Sequence, residues 1–263
     1  MNVDIFIPVR LDSTRLSKKH LKLINGKPSI ITLVNRLKEA KKIRKIIVCT
    51  TTATSDDELV KLLQNENIEF FRGSENDLLR RFLDAAIFYK SDIIIDVEGD
   101  KIYTDPYFVD KIVDLMKNTE VDYAIGSDYN GIFNPENHLV HGLIPAGIRF
   151  SALEKICKLK KSTDTATGYK EFFILPNLFN VRYIPFEINS NLDDKIRLTI
   201  DYDSDYLLAK EIFSKLGINF NSKNVINLFN DNPELLEISH ENIKKWKKNY
   251  KKTIMDFSLK SNS

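Results

Sequence analysis

The chain has 263 residues, enough for one large domain or for one domain with an appended lobe. Apolar residues make up 43% and charged residues 29%, the balance of a folded soluble protein. The formal charge is +2, from 39 basic and 37 acidic side chains, so the basic surplus of a polyanion-binding protein is missing and nucleic acid is not an expected partner.

Val3-Asp-Ile-Phe-Ile-Pro-Val9 opens the chain with no basic stretch before a long apolar one, so no signal peptide is expected. No apolar run reaches about 18 residues, so no transmembrane helix is expected, and a cytoplasmic protein is the default. The two cysteines, Cys49 and Cys157, have no metal-ligand spacing, and Cys49 reads as a buried hydrophobe.

Strands are expected at residues 5–9, 46–50, 68–71 and 92–97. Helices are expected at 29–40, 55–64 and 76–89, and a further one opens at Asp105-Pro106. Ser55 ahead of Asp56, Asp57 and Glu58 reads as a helix cap. This alternation predicts a mostly parallel sheet with helices on both faces. In the second half, strands are expected at 122–127, 144–150, 181–186 and 197–200. Helices are expected at 152–159, 169–175, 203–216 (ended by Gly217), 221–229 and 239–250. Residues 128–143, rich in Asn, Gly and Pro, read as a long loop or hairpin. A single domain over 1–255 with a frayed tail at 256–263 is the expected organisation.

Three segments carry chemistry. Pro8, Val9 and Arg10 lead from the first strand into a polar, cationic loop. There Arg10, Arg15 and Lys19 can meet a triphosphate, and Ser13 and Thr14 add donors. Such a loop at the carboxyl end of a buried strand is where open α/β sheets bind ligands. It lacks the glycine pattern of a P-loop. The second segment, Asp96-Val97-Glu98-Gly99-Asp100, is a strand turning at glycine into an aspartate suited to a hard cation. The third, Arg197-Leu-Thr-Ile200-Asp201-Tyr-Asp203, runs into a second such aspartate, with Asp203 or Ser204 read as the cap of the next helix. Asp100 and Asp201 facing the cationic loop make a metal–triphosphate site.

Ile7 to Leu16, with Lys19 and Gly26-Lys27-Pro28, resembles the opening motif of the cytidylyltransferases that make CMP-activated acidic sugars, such as CMP-Kdo synthetase and CMP-sialate synthetase. The spore coat polysaccharide F-type branch is the more similar. It shares the patterns at Thr50-Thr51-Thr52, Phe71 to Glu75, Asp77 to Leu79, Arg81, Gly99-Asp100, Asp105-Pro106 and Leu198 to Asp201. The resemblance spans residues 3–216. It implies a Rossmann-like nucleotidyltransferase fold (GT-A-like, three α/β/α layers), CTP as donor, Mg²⁺ as cofactor, an acidic small acceptor and a homodimer.

Carried onto this sequence, the resemblance makes Arg15, Lys19 and Asp100 catalytic and Asp100 with Asp201 the metal ligands. Pro8, Val9, Arg10, Ser13, Thr14, Arg72, Ser74 and Gly99 join Arg15 and Lys19 around the nucleotide. Arg81 reaches inward or makes a surface ion pair. His141, Arg149, Lys170 and Arg182 are candidates for an anionic acceptor. Ser17-Lys18 replace the family's Pro-Gly. Lys101-Ile102-Tyr103-Thr104 and Ala166-Thr167-Gly168-Tyr169 also depart from it, which leaves the acceptor open among sugar acids, sugar or polyol phosphates and phosphonates. The excursion at 128–150, with Ile132, Phe133, Leu139, Val140, Leu143 and Ile144, is the candidate dimer interface, or else folds onto its own core. The rival readings are a glycosyltransferase of related fold using Asp201-Tyr-Asp203, and a nucleotide-binding protein without turnover.

Overall fold

The computed structural model describes residues 1–13, 15–165, 168–190, 192, 195–250 and 258–259. In chain order the elements are β1 (Val3–Pro8), the short ribbon β2 (Leu23–Ile24) and β3 (Lys27–Pro28), α1 (Ser29–Leu37), β4 (Lys45–Thr51), α2 (Asp57–Asn65), β5 (Glu69–Gly73), α3 (Leu78–Tyr89), β6 (Ile93–Asp96) and α4 (Pro106–Asn118). Then come β7 (Tyr123–Ser127), α5 (His138–Leu143), β8 (Ala146–Arg149), α6 (Phe150–Leu159), α7 (Glu171–Ile174), β9 (Val181–Pro185), α8 (Asp203–Leu216), α9 (Ser222–Asp231) and α10 (Glu234–Tyr250).

Seven strands form one sheet in the order β5-β4-β1-β6-β8-β7-β9. β5, β4, β1 and β6 run parallel, β8 runs antiparallel to both its neighbours, and β9 pairs parallel with β7. The apolar runs of the central strands are buried on both faces, as a sheet covered by helices requires. Strand alternation sorts them. Ile5, Ile7, Val48, Ile93 and Ile95 join one core with α1, α2, α4 and α8, while Phe6, Ile47, Cys49 and Ile94 join the other with α3 and α6. The result is the expected three-layer sandwich.

Helix termini follow local chemistry. Asp105 caps α4 by accepting from the Tyr107 N–H at 3.0 Å, with Pro106 in the first turn. Its other oxygen accepts from the Ser222 N–H (2.8 Å) and hydroxyl (2.6 Å), tying α4 to α9. Gly217, at φ 70°, ends α8 as expected.

Four expectations are corrected. Residues 197–200 are buried but form no strand, because β8 fills the place beside β6; the segment is a buried spur, held by the Ile200 N–H on the Asp100 carbonyl at 3.0 Å. The stretch 128–143 contains α5, capped by Asn137. Ser55 is not a cap: it lies in a 3₁₀ turn, and α2 begins at Asp57. The start of α8 is held by Asp205, not by Asp203 or Ser204, through the N–H groups of Asp201 (2.9 Å) and Tyr202 (3.0 Å). Of the apolar residues in the excursion, Leu139, Val140, Leu143 and Ile144 are buried in the chain's own core, and Ile132 is exposed. Thr14 and Ala166-Thr167 lie outside the described residues, as does most of the stretch 256–263; within that stretch Leu259 pairs with Lys160. No helix among the described residues is long and apolar enough to cross a membrane.

Candidate active site

β1 has β4 on one side and β6 on the other, so the chain reverses its direction of growth across the sheet there. A crevice at the carboxyl ends of strands at such a switch point is the standard ligand position in open α/β sheets. The loop leaving β1 is pinned by buried Leu11 and Leu16. It is also pinned by Asp56, whose Oδ1 accepts from the Leu11 N–H at 2.7 Å while Oδ2 accepts from the Thr50 hydroxyl at 2.9 Å and from Thr51. A 3₁₀ turn over Lys19–Leu21 then carries Lys19 inward.

At the end of β6, the Val97 N–H donates to the Phe6 carbonyl and the Gly99 N–H to the Pro8 carbonyl at 3.3 Å. A Cβ at position 99 would lie 2.6 Å from Val9 Cγ2 and 3.0 Å from the Pro8 oxygen, so glycine alone lets the two strand ends close together. His20, packed under this turn, is pushed down to about 4 by burial and by Lys19, and stays neutral.

The three sequence segments meet in one charge network, buried at Lys19, Asp201 and Arg197 and open to solvent at Arg15. Lys19 Nζ donates to Asp100 Oδ2 at 2.6 Å and to Asp201 Oδ1 at 3.0 Å. Arg15 reaches Asp201 Oδ1 at 3.0 Å, and Arg197 bridges Asp201 and Asp205 at 2.6 Å each. Burial pushes the Asp201 carboxyl up, but Lys19, Arg197 and Arg15 outweigh it, and its pKa falls to about 2. Burial likewise pulls Lys19 down, yet Asp100 and Asp201 leave it raised and firmly charged.

The oxygens of Asp100 and Asp201 thus converge on one point, the Lys19 ammonium. Asp100 Oδ1 is buried with no partner among the described residues. Two carboxylates with an unused oxygen suit Mg²⁺, which takes one or two protein carboxylates and completes its shell with phosphate oxygens and water. Among the described residues no three His, Cys, Asp or Glu side chains gather as a complete protein metal cage, so the donor set fits a metal shared with a phosphate ligand.

Arg10 is half-buried on the loop after β1, within electrostatic reach of Arg81, and has no ion pair among the described residues; Ser13 is half-buried on the same loop. Arg72 is engaged by the Thr51 and Ala53 carbonyls (2.8 and 2.9 Å) and by Asp57 (2.8 Å). The Ser74 hydroxyl accepts from the Asp77 N–H at 3.1 Å. Arg81 does reach inward, to the carbonyls of Ser74, Cys49 and Glu75. These three therefore shape the loops after β4 and β5, with the guanidinium groups of Arg72 and Arg81 already engaged.

His141 and Lys170 come together on one small cavity with Asp96, Glu98 and Lys101. Glu98 Oε1 accepts from Lys101 at 2.9 Å and lies 3.2 Å from Lys170. His141 is held well below its ordinary value by burial and by Lys170 and Lys101, so it is neutral. Arg149 and Arg182 are elsewhere, which corrects the expectation for them. β8 runs antiparallel, so its last residue, Arg149, pairs with Ile93 at the start of β6, on the far edge of the sheet, and donates to the Met116, Thr119 and Val121 carbonyls. Arg182 is exposed on the edge strand β9. Sequence reasoning missed Asp56, Asp96, Glu98, Lys101 and Arg197. A signal was available for Asp96 and Glu98: carboxylates two apart at the end of an apolar strand share one face.

Comparison with known proteins gives the family. Residues 5–210 match the family model described as cytidylyltransferase. The chain belongs to the cytidylyltransferase family, a family of nucleotidyltransferases. It is 32% identical over 244 residues to the uncharacterized protein MJ1063 of Methanocaldococcus jannaschii, covering 91% of this chain and 95% of that one. It is 27% identical over 243 residues to the spore coat polysaccharide biosynthesis protein SpsF of Bacillus subtilis, covering 89% and 97%. Among solved structures, a cytidylyltransferase from Leptospira borgpetersenii superposes with a TM-score of 0.78 at 28% identity, covering 90% of this chain and 97% of that one.

Proposed function

We propose that the protein transfers CMP from CTP to a small acidic acceptor and releases pyrophosphate, in the biosynthesis of a surface glycan or a related product. The observation that carries this reading is the network of Lys19, Arg15, Asp100 and Asp201 at the switch point, beside a cavity walled by Lys101, Lys170 and His141. An acceptor oxygen attacks the α-phosphorus and the bond to the β-phosphate breaks, a displacement that needs positioning and charge neutralisation more than covalent help. Arg15 and Lys19 stabilise charge on the leaving pyrophosphate. Pro8, Val9, Arg10, Ser13 and Gly99 border the nucleotide, with Arg72 and Ser74 acting through the shape of their loops. Asp100 and Asp201 would hold Mg²⁺, which supplies charge neutralisation on the phosphates when bound. Arg197 keeps Asp201 ionised, and Asp205 holds Arg197 and the Asp201 backbone in place.

The glycosyltransferase reading would need Asp203 as a second metal carboxylate. Its side chain is 81% exposed and lies 3.7 Å from Lys22, which favours the cytidylyl reading. CTP as donor sets the reaction in the cytoplasm. Assembly is proposed as a homodimer through the apolar surface at Ile132, Tyr129 and Tyr183, the last on the open edge strand β9; a single monomeric species in sedimentation would refute it.

The test of the site compares Asp100→Asn, Asp201→Asn and Asp203→Asn. The first two lower turnover by about a hundredfold or more, as loss of a charge-stabilising group does, and the third changes it little. Near-normal turnover by Asp100→Asn at limiting Mg²⁺ would remove the metal assignment.

A further inference from the structure

The cavity beside the charge network contains one group that the reaction as described does not use. Asp96 ends β6, in register with Phe6 on β1 and Ala146 on β8. It therefore lies within the sheet, while Asp100, four residues on, lies past its edge. Asp96 is the floor of the crevice and Asp100 its rim.

Asp96 is 3% exposed. Its Oδ2 accepts a hydrogen bond from the Tyr169 hydroxyl. Its Oδ1 is buried with no partner among the described residues, and no other side-chain oxygen or nitrogen lining this cavity is left in that state. The neighbours are committed: Glu98 to Lys101 and Lys170, His141 Nε2 to the Asn134 carbonyl at 2.9 Å, the Thr104 hydroxyl to the Lys101 carbonyl at 2.9 Å. A buried carboxylate oxygen without a donor is costly, and a ligand that brings a donor relieves it. The cavity itself measures about 10 Å³, the volume of a single water, so only the tip of a ligand fills it.

We propose that Asp96 is a specificity-determining residue of the acceptor site, whose free Oδ1 takes a hydrogen bond from a hydroxyl or amino substituent at the end of the acceptor remote from the attacking oxygen. The proposal rests on the reading that a CMP acceptor enters this pocket. It adds a requirement that an anionic group alone does not meet: the acceptor carries a hydrogen-bond donor at its far end. A site built to bind a donor rejects analogues that lack it, because its own buried group then stays unpaired.

The electrostatics agree. Burial and the charge of Glu98 raise the Asp96 carboxyl to about 7, against the Tyr169 hydroxyl, Lys101 and Lys170, which pull it down. Tyr123 and His141 also pack nearby, both neutral near pH 7. A donor on Oδ1 favours the carboxylate, so the acceptor binds more tightly as Asp96 loses its proton.

The experiment measures pyrophosphate release from CTP with a panel of acidic sugars, including 3-deoxy-manno-octulosonate and N-acetylneuraminate, for the wild-type protein, Asp96→Asn and Asp96→Ala. With the acceptor the wild type uses best, both variants raise the acceptor KM about tenfold or more. They leave the CTP KM and the thermal stabilisation by CTP unchanged. The wild-type acceptor KM falls between pH 6 and pH 8, and in Asp96→Asn that fall is lost. An acceptor KM within twofold of wild type, or a CTP KM that rises in step, overturns the proposal. If the Asp96 variants fail to fold, Tyr169→Phe decides. Loss of its hydroxyl moves the pH dependence of the acceptor KM upward, and an unmoved profile overturns the proposal. A wild-type protein that turns over no acceptor would instead refute the cytidylyl-transfer reading, and this one with it.

Discussion

His138→Phe isolates a single acid-sensitive group. His138 opens α5, its ring standing edge-on to Trp246 at 4.3 Å, and its Nε2 is buried with no partner among the described residues. Burial, with help from Arg197 and Lys101, lowers its pKa to about 3. The folded imidazole therefore stays neutral at pH 4.5, while in the unfolded chain it takes up a proton near pH 6.5. Between those values the unfolded state binds more protons, so this group's contribution to stability falls as the pH drops. Two pH units at about 1.4 kcal/mol each give about 3 kcal/mol, and partial exposure of the residue reduces this to about 2. Phenylalanine keeps a ring on Trp246 and does not titrate. Comparing thermal unfolding at pH 7.5 and 4.5, the melting temperature of His138→Phe relative to wild type should rise by about 4–8 °C at the lower pH, at about 2–4 °C per kcal/mol for a chain near this size. Equal offsets at the two pH values would refute the burial argument.

Two further substitutions test the construction of the site. Gly99→Ala forces a Cβ to within 2.6 Å of Val9 Cγ2, so it should cost about 1–3 kcal/mol and weaken CTP binding; full stability in chemical denaturation would show that the β1 and β6 ends do not need to close. Arg197→Met strips the buried Asp201 and Asp205 of their shared partner and should cost about 3–5 kcal/mol, read as a shifted denaturation midpoint; a neutral result would mean that these carboxylates are compensated elsewhere.

Much of this fold is readable in the sequence because its central strands are continuous apolar runs and its helices are amphipathic. Asp100 and Asp201 were readable as partners for the same reason: each follows an apolar run that delivers it to one edge of the sheet. The direction of a strand leaves no such mark. Nothing in Ile144 to Phe150 reveals that β8 runs antiparallel, and Arg149 is carried to the wrong edge for that reason. Residues 197–200 have a strand's composition without its hydrogen bonds, since a buried spur and a buried strand both need Leu198 and Ile200 inside. α5 was hidden because its six residues include two histidines and a glycine, and its neighbours are Asn and Pro; its packing on the core, not its propensity, makes it helical. Glu98 and Lys101 were overlooked as site residues because a charge at the end of a strand usually faces solvent, and only the folded chain sets Lys170 against them.

The central claim is that this chain moves CMP from CTP. The most direct measurement incubates the protein with Mg²⁺, each of CTP, UTP, ATP and GTP in turn, and the acidic acceptor panel, while following pyrophosphate and the mass of the product. The account predicts acceptor-dependent pyrophosphate release with CTP, a product heavier than the acceptor by the cytidylyl group, and at most a tenth of that rate with the other three nucleotides, since a mismatched base leaves buried polar groups unpaired. Equal rates with all four nucleotides, or transfer of a sugar from a nucleotide sugar with no pyrophosphate released, would contradict it.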